Sequence, residues 1–318
     1  MKILKTAPGL DPHGQLAQAL GPEHTVAEAD FGKPLEAQVA DVDVFLTRDV
    51  PITDKVIDAA PKLRLVQRYG HHVVNVCVEH AASRGVPVAS IPSSVSGSNI
   101  AVAEHAFFLM MALAKRLVES DRALAANRLG RPETTILSGK VLGLVGIGGT
   151  GAELARMARA FGMTVIATKR DLTNLDGAEP HLAETIPLDR RAELLARADY
   201  VSIHLPLNAH TTGYVDAAFL EQMRPEAFLV NIARGEVVDR DALLAALTRG
   251  TIAGAGIDVF WDEQNFDFAA FRDVPNLVAT PHIAGASVDC LARLAEAAAT
   301  NIRLVGEGRP PLYEVNSG

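Results

Sequence analysis

Residues 141–151 read VLGLVGIGGTG, an apolar run that breaks into glycines at Gly146, Gly148, Gly149 and Gly151. The run starts after Lys140 as a β-strand and stops at Gly146, the residue type that turns a chain sharply out of a strand. Gly148 would let backbone approach an anion with no side chain between, and Gly151 would let the next helix pack close. That helix begins near Thr150, so its first free N–H groups point back into the turn, where a pyrophosphate fits. A second apolar stretch, TVIAT at 164–168, closes a strand–turn–helix–strand unit. Glycines alone say little. Inside that unit they specify a dinucleotide-binding turn.

Outward from this unit the alternation continues. Strand-like runs at 200–204, 228–231, 253–259 and 277–279 are separated by helical patterns at 190–196, 217–222 and 241–248. With 140–147 and 164–168 they make six strands, enough for a doubly wound parallel sheet. Upstream, strands at 1–4, 42–47, 63–67 and 86–90 enclose helices at 51–60 and 76–84. The Ala/Leu/Met-rich stretch 100–125 predicts one long helix with little polar interruption at its start, buried on more than one side, and so marks a domain junction. A polar loop, 127–134, follows it. The amphipathic tail 287–306 comes after the second sheet is complete and returns to the first domain. The reading is therefore α/β, with residues 99–285 inserted into a smaller domain built from 1–98 and 286–318.

The composition bounds the function. A length of 318 residues suits two domains at ~100–200 residues each, and 48% apolar residues suffice for two cores. Thirty basic residues against 38 acidic ones leave a charge of −8, which argues against a protein that binds by neutralising nucleic-acid phosphates. Cys77 and Cys290 cannot build a disulfide framework, and they read as inert apolar side chains in a reducing compartment. The opening MKILKTAPGL reads as a short strand rather than a leader, and 101–114 is too short to span a bilayer. A soluble, cytoplasmic two-domain globule without membrane contact is the expectation.

At the end of the TVIAT strand stand Lys169 and Arg170, with Asp171 after them. A carboxylate at that place would accept hydrogen bonds from an adenine ribose, as NAD requires. Two cations suit a 2′-phosphate better. This tips the reading towards NADP(H), with NAD(H) still open; the bland alternative is a solvated pair of charges balanced by Asp171.

Three later segments, NIARGEVVD (231–239), AGIDVFWDE (255–263) and ATPHIAGAS (279–287), together with LVGIGGTG and HLPLNAHTTG (204–213), resemble the D-isomer-specific 2-hydroxyacid dehydrogenases. The likeness extends to RYGHHVVNVCVEHAASRGVPV and NIAVAEHA, and so covers nearly the whole chain. It implies a Rossmann nucleotide-binding domain inserted into a smaller flavodoxin-like substrate domain, in a short form without a regulatory domain. It also implies a symmetric homodimer, domain closure with hinges near 96–100 and 285–287, and hydride transfer between a nicotinamide and a small 2-oxo or 2-hydroxy acid.

Carried over residue by residue, the resemblance places the reacting set on Arg234, Glu263 and His282. Arg234 would offer a planar fork of donors to the substrate. His282 would exchange a proton with the oxo oxygen, and Glu263 would back the ring and hold its orientation. Pro206, Ile232, Ala233, Asp258 and Gly285 fall where the family meets its cofactor. Gly70, His71 and His72 fall on a loop whose N–H groups hold the substrate carboxylate, with His72 where a second glycine is common. The paired histidines are weak as a metal site, and no metal is expected. Trp261 either caps the pocket or packs in the core. Phe266, Phe268 and Phe271 read as packing, Glu104 and His105 as a satisfied buried pair, and His204 as a crevice-lining residue. Alternatives within the family are a phosphonate, phosphite or phosphoglycerate-type dehydrogenase. Formate dehydrogenase fits less well, because that relative carries glutamine where Glu263 stands. Outside the enzymes, the rival is a non-catalytic NAD(H)-sensing protein.

Overall fold

The computed structural model describes residues 1–315 except 49, 72, 74, 264, 266, 268–270, 272, 273 and 275. The chain forms two compact units, Met1–Ser98 with Ser287–Gly318, and Asn99–Ala286.

In the first unit, β1 (Lys2–Lys5), β2 (Thr25–Glu28), β3 (Val44–Thr47), β4 (Leu65–Arg68) and β5 (Val88–Ala89) make a parallel sheet in the order β2-β1-β3-β4-β5. This is the flavodoxin-like order. Period-two alternation explains its two cores. Ile3, Val44, Leu46 and Leu65 face one way, onto Ala295, Ala298, Ala299 and Ile302 of the helix Val288–Gly306. Leu4, Phe45, Val66 and Val88 face the other way, onto Val56, Ile57 and Ala81. The central strands β3 and β4 are buried on both faces along their whole length, including Thr47, Gln67 and Arg68 at their C-terminal ends.

In the second unit, β6 (Val141–Val145), β7 (Thr164–Lys169), β8 (Glu184–Pro187), β9 (Tyr200–Ile203), β10 (Phe228–Asn231), β11 (Gly254–Ile257) and β12 (Leu277–Ala279) form a parallel sheet ordered β12-β11-β10-β9-β6-β7-β8. The order reverses between β6 and β9, which is where an open α/β sheet binds its ligand, beyond the C-terminal strand ends. One face packs Leu142, Leu144, Val165 and Ala167 against Ala106, Leu109, Met110, Leu154 and Ala158. The other packs Val145, Ile166, Val201 and Leu229 against Leu194, Phe219, Leu243 and Leu247.

Three expectations need correction. The sheet has seven strands, because β8 (ETIP) pairs at the edge beside β7. The smaller sheet likewise gains β2 (TVAE) at its edge. The long helix is two, Ser98–Ala114 and Leu117–Ala125, broken where Arg116 takes a left-handed φ of 48°. Among the described residues no helix is long and apolar enough to cross a membrane.

Candidate active site

The glycine turn leaves β6 at Gly146, whose φ is 85° and whose missing Cβ would lie 2.8 Å from the carbonyl oxygen of His204. Only glycine satisfies both the conformation and the contact. The helix Gly149–Ala160 then starts with no side-chain cap and no acidic residue in its first turn, so its positive end stays uncompensated. A Cβ on Gly151 would meet the His204 ring at an ordinary 3.6 Å, so the close packing expected there still leaves room for a methyl group.

The ends of β10, β11 and β12 lie side by side, and the loops after them carry Arg234, Glu263 and His282. Asn231, buried at the end of β10, folds the loop after it: its Oδ1 accepts from the Ala233 N–H at 3.1 Å, and its Nδ2 donates to the Arg234 carbonyl at 2.9 Å. Arg234 itself is exposed, with Nη1 donating to the Ala233 carbonyl at 2.6 Å. Gly235 follows, pressed against the Phe260–Trp261 peptide so closely that a Cβ would collide with it. The Arg234 loop is thereby seated on the loop that carries Glu263.

Glu263 and His282 meet directly. Glu263 Oε2 lies 2.6 Å from His282 Nδ1, and Oε1 accepts from the Phe260 N–H at 3.1 Å. The carboxylate is held at both oxygens. His282 has a left-handed φ of 54°, an unusual conformation for a histidine in a loop. Its ring is exposed, and among the described residues Nε2 has no partner.

Asp258, at the end of β11, is fully buried and organises that loop from below. Its Oδ1 accepts from Thr280 Oγ1 at 2.6 Å and from the Ile283 N–H at 2.9 Å; its Oδ2 accepts from the Ala284 N–H at 2.8 Å. Burial opposes its ionisation, but the nearby His105 ring and the hydrogen bonds from Thr280, Ala284 and Ile283 outweigh it and hold the carboxyl below its ordinary value.

Residues 107–284 match the family model for the D-isomer specific 2-hydroxyacid dehydrogenase NAD binding domain. The chain belongs to the D-isomer-specific 2-hydroxyacid dehydrogenase family. A glyoxylate reductase of Pyrococcus furiosus is 37% identical over 290 residues, which is 88% of this chain and 84% of that protein. A Thermus thermophilus protein of known crystal structure superposes with a TM-score of 0.84 at 32% identity, covering 99% of this chain and 100% of that one. An NADPH-dependent glyoxylate/hydroxypyruvate reductase of Sinorhizobium meliloti superposes at 0.80 with 27% identity, covering 99% and 97%. The protein is an NAD(P)-dependent dehydrogenase.

The turn in this family member fits a dinucleotide. Gly148 leaves open space where a Cβ would stand, beside a helix end without an internal counter-charge. Gly149 and Thr150 lie in that first turn, Pro206 follows the switch point, and its carbonyl accepts from Thr211 Oγ1 at 2.6 Å. Ile232 is buried, and Gly285 is exposed just past the His282 loop. Lys169 ends β7 but is already engaged, with Nζ donating to the Asn174 carbonyl at 2.6 Å and pairing with Asp176 at 2.9 Å. Arg170 is exposed, lies within electrostatic reach of Asp171, and makes no hydrogen bond or ion-pair contact among the described residues. Asp171 accepts from the Thr173 N–H and hydroxyl, which lower its pKa.

Other positions resolve differently from the sequence reading. His105 does not pair with Glu104, which is exposed; its Nε2 reaches Thr280 Oγ1 at 2.7 Å. Trp261 packs rather than caps, with its indole N–H on the Val238 carbonyl at 2.7 Å and its ring stacked on Phe271. Gly70 and His71 lie in the other unit beyond β4, Gly70 with a φ of 150° and open space at its Cβ position. His72, Phe266 and Phe268 lie outside the described residues. Cys77 is exposed, and a hydrogen bond to Asp54 raises its thiol pKa, which keeps it from being a ready nucleophile. Sequence reasoning missed Asn231, Gly235 and Thr280. The available signal was a polar or small residue directly at a strand's C-terminal end, where loops are turned.

Proposed function

We propose that this enzyme interconverts small 2-oxo acids and D-2-hydroxy acids, glyoxylate-like acids foremost, with His282 as the acid–base group. The observation that carries this reading is the 2.6 Å contact between His282 Nδ1 and Glu263 Oε2. A carboxylate only accepts, so Nδ1 carries its proton towards Glu263, and the other ring nitrogen faces outward. In reduction, His282 Nε2 gives its proton to the oxo oxygen; in oxidation it takes the hydroxyl proton back. Bound nicotinamide supplies or accepts the hydride at the same carbon. Glu263, itself held by the Phe260 N–H, fixes the plane and tautomer of the ring.

Arg234 uses one N–H on its own loop and keeps the rest of its fork for the substrate carboxylate and oxo oxygen. Gly70 and His71 are the residues of the other unit read as carboxylate-holding. Gly146, Gly148, Gly149, Thr150 and Gly151 would hold the pyrophosphate, with Pro206, Ile232, Ala233 and Gly285 lining the cofactor's path. Asp258 acts here by holding the His282 loop.

NADP(H) is the preferred cofactor in this reading. Lys169 is tied to Asp176, so the exposed Arg170 is the cation available for a 2′-phosphate, and Asp171 is occupied by Thr173. A homodimer through the nucleotide-binding unit belongs to the same reading. The stretch from Phe108 to Ile136 exposes Leu117, Leu124 and Leu129, the last two at 70% and 90%, an apolar surface that association would cover.

The test is oxidation of NADPH and NADH with glyoxylate, hydroxypyruvate, pyruvate and phenylpyruvate. Turnover with D-2-hydroxy acid product is expected. Tight cofactor binding with no turnover of any of them would establish a sensor instead.

A further inference from the structure

His105 sits on the helix Ser98–Ala114, and its side chain reaches the ends of β11 and β12. Its Nε2 is 2.7 Å from Thr280 Oγ1 and 3.4 Å from Asp258 Oδ1, while Thr280 Oγ1 lies 2.6 Å from Asp258 Oδ1. A hydroxyl has a single proton. Asp258 is ionised and can only accept, so Thr280 donates to it, and His105 must donate its Nε2–H to Thr280. The direction of every bond in the chain is thereby set. At its far end, Asp258 receives the Ile283 and Ala284 N–H groups at 2.9 and 2.8 Å, the two peptides directly after His282.

We propose that His105 is a positioning residue for the acid–base step. Through Thr280 and Asp258 it clamps the backbone that follows His282 and so keeps the His282 ring on Glu263. The inference rests on the reading of His282 given above. Two features require such a clamp. His282 is held at a φ of 54°, a conformation that persists only where the surroundings over-determine it. Its exposed side chain gains little from packing. The buried Asp258 and the mostly buried His105, 14% exposed at its side chain, supply the rigidity from beneath.

The experiment compares His105→Leu with His105→Gln, whose side-chain amide can donate from the place of the imidazole Nε2. The readouts are kcat and KM with glyoxylate, cofactor Kd by fluorescence, and NMR hydrogen exchange of the Ile283 and Ala284 amides. For His105→Leu, kcat should fall about ten- to a hundredfold with cofactor Kd within about twofold. Both amides should exchange at least about tenfold faster. His105→Gln should recover kcat to within about threefold and restore the protection. If His105→Leu does not fold, Thr280→Val and Thr280→Ser pose the same contrast of donor lost and donor kept.

The proposal is overturned if the leucine variant keeps both its rate and its protection, or if only one of the two falls. It is equally overturned if the glutamine variant is as impaired as the leucine one. Amide exchange is read without turnover. A wild-type protein inactive on every 2-oxo acid would therefore sink the functional reading, while exchange still decides whether His105 holds the loop.

Discussion

Gly235 lies against the peptide between Phe260 and Trp261 with no room for a Cβ. This contact joins the loop of Arg234 to the loop of Glu263, two segments more than twenty residues apart in the chain. The Gly235→Ala variant must push one backbone away from the other. A stability loss of about 1–3 kcal/mol is expected from such overpacking, read as a lower denaturant midpoint. The separation of the two loops should also lower kcat/KM by about a hundredfold, the effect of misplacing reacting groups by about 1 Å. An alanine variant with unchanged midpoint and kcat/KM would contradict the seating of one loop on the other.

The His282→Ala variant should lose ~10²–10⁴ in kcat, the range of general acid–base catalysis, with cofactor affinity unchanged by fluorescence titration. Glu263→Gln leaves an oxygen for the Phe260 N–H but no carboxylate for the ring. Its kcat should fall by about tenfold or more while KM changes little. A normal rate in the His282 variant removes the assignment of the proton to that ring.

What the sequence reveals about this fold follows burial. The central strands, such as 141–145 and 228–231, are buried on both faces and stand out as apolar runs. The edge strands TVAE and ETIP have one neighbour each and exposed ends, so no apolar pattern marks them. The break at Arg116 lacks the glycine or proline that usually announces one, and is held instead by the Arg116–Glu119 ion pair and the Ser120 hydroxyl on the Lys115 carbonyl. In the site, Glu263 and His282 were legible only because a family resemblance paired them. The partner of His105 was not legible at all, because hydrogen bonds between a helix and two strand ends leave no spacing in the sequence.

Arg170→Ser should raise the KM for NADPH by about tenfold or more, the value of one charge-assisted hydrogen bond, and leave the KM for NADH within about twofold. Lys169→Ser should have the smaller effect on NADPH, because its ammonium is already held by Asn174 and Asp176. Steady-state kinetics with both cofactors check this. Equal effects of Arg170→Ser on NADPH and NADH would show that the guanidinium meets only solvent.

Leu129 is 90% exposed, and a charge there costs a lone subunit almost nothing. Leu129→Asp combined with Leu124→Asp should therefore convert a dimer to a monomer in sedimentation equilibrium without lowering the thermal midpoint of the monomer. A wild-type protein that sediments as a monomer would end the dimer reading outright.

His204 offers a test through pH. Its Nε2 lies 2.9 Å from Ser202 Oγ, its Nδ1 is buried without a partner, and burial pushes its pKa down from 6.5 to about 4. In the unfolded chain the ring takes up its proton near 6.5; in the folded protein it does so only near 4. Between those values the unfolded state binds the extra proton, so the neutral ring's stabilisation is complete above 6.5 and is lost progressively as pH falls towards 4. The loss amounts to about 3 kcal/mol at most. Asp258 is also held below its ordinary value, but its contribution disappears only as pH falls through its lower, folded-state pKa, so the two windows are distinct. Denaturant unfolding of the wild type should therefore weaken steadily across the His204 window. In His204→Gln, which has no titrating ring at that position, the curve should be flatter there and unchanged in the more acidic range. Parallel curves for the two proteins would show that the ring beneath the glycine turn is already protonated, or open to water, in the folded state.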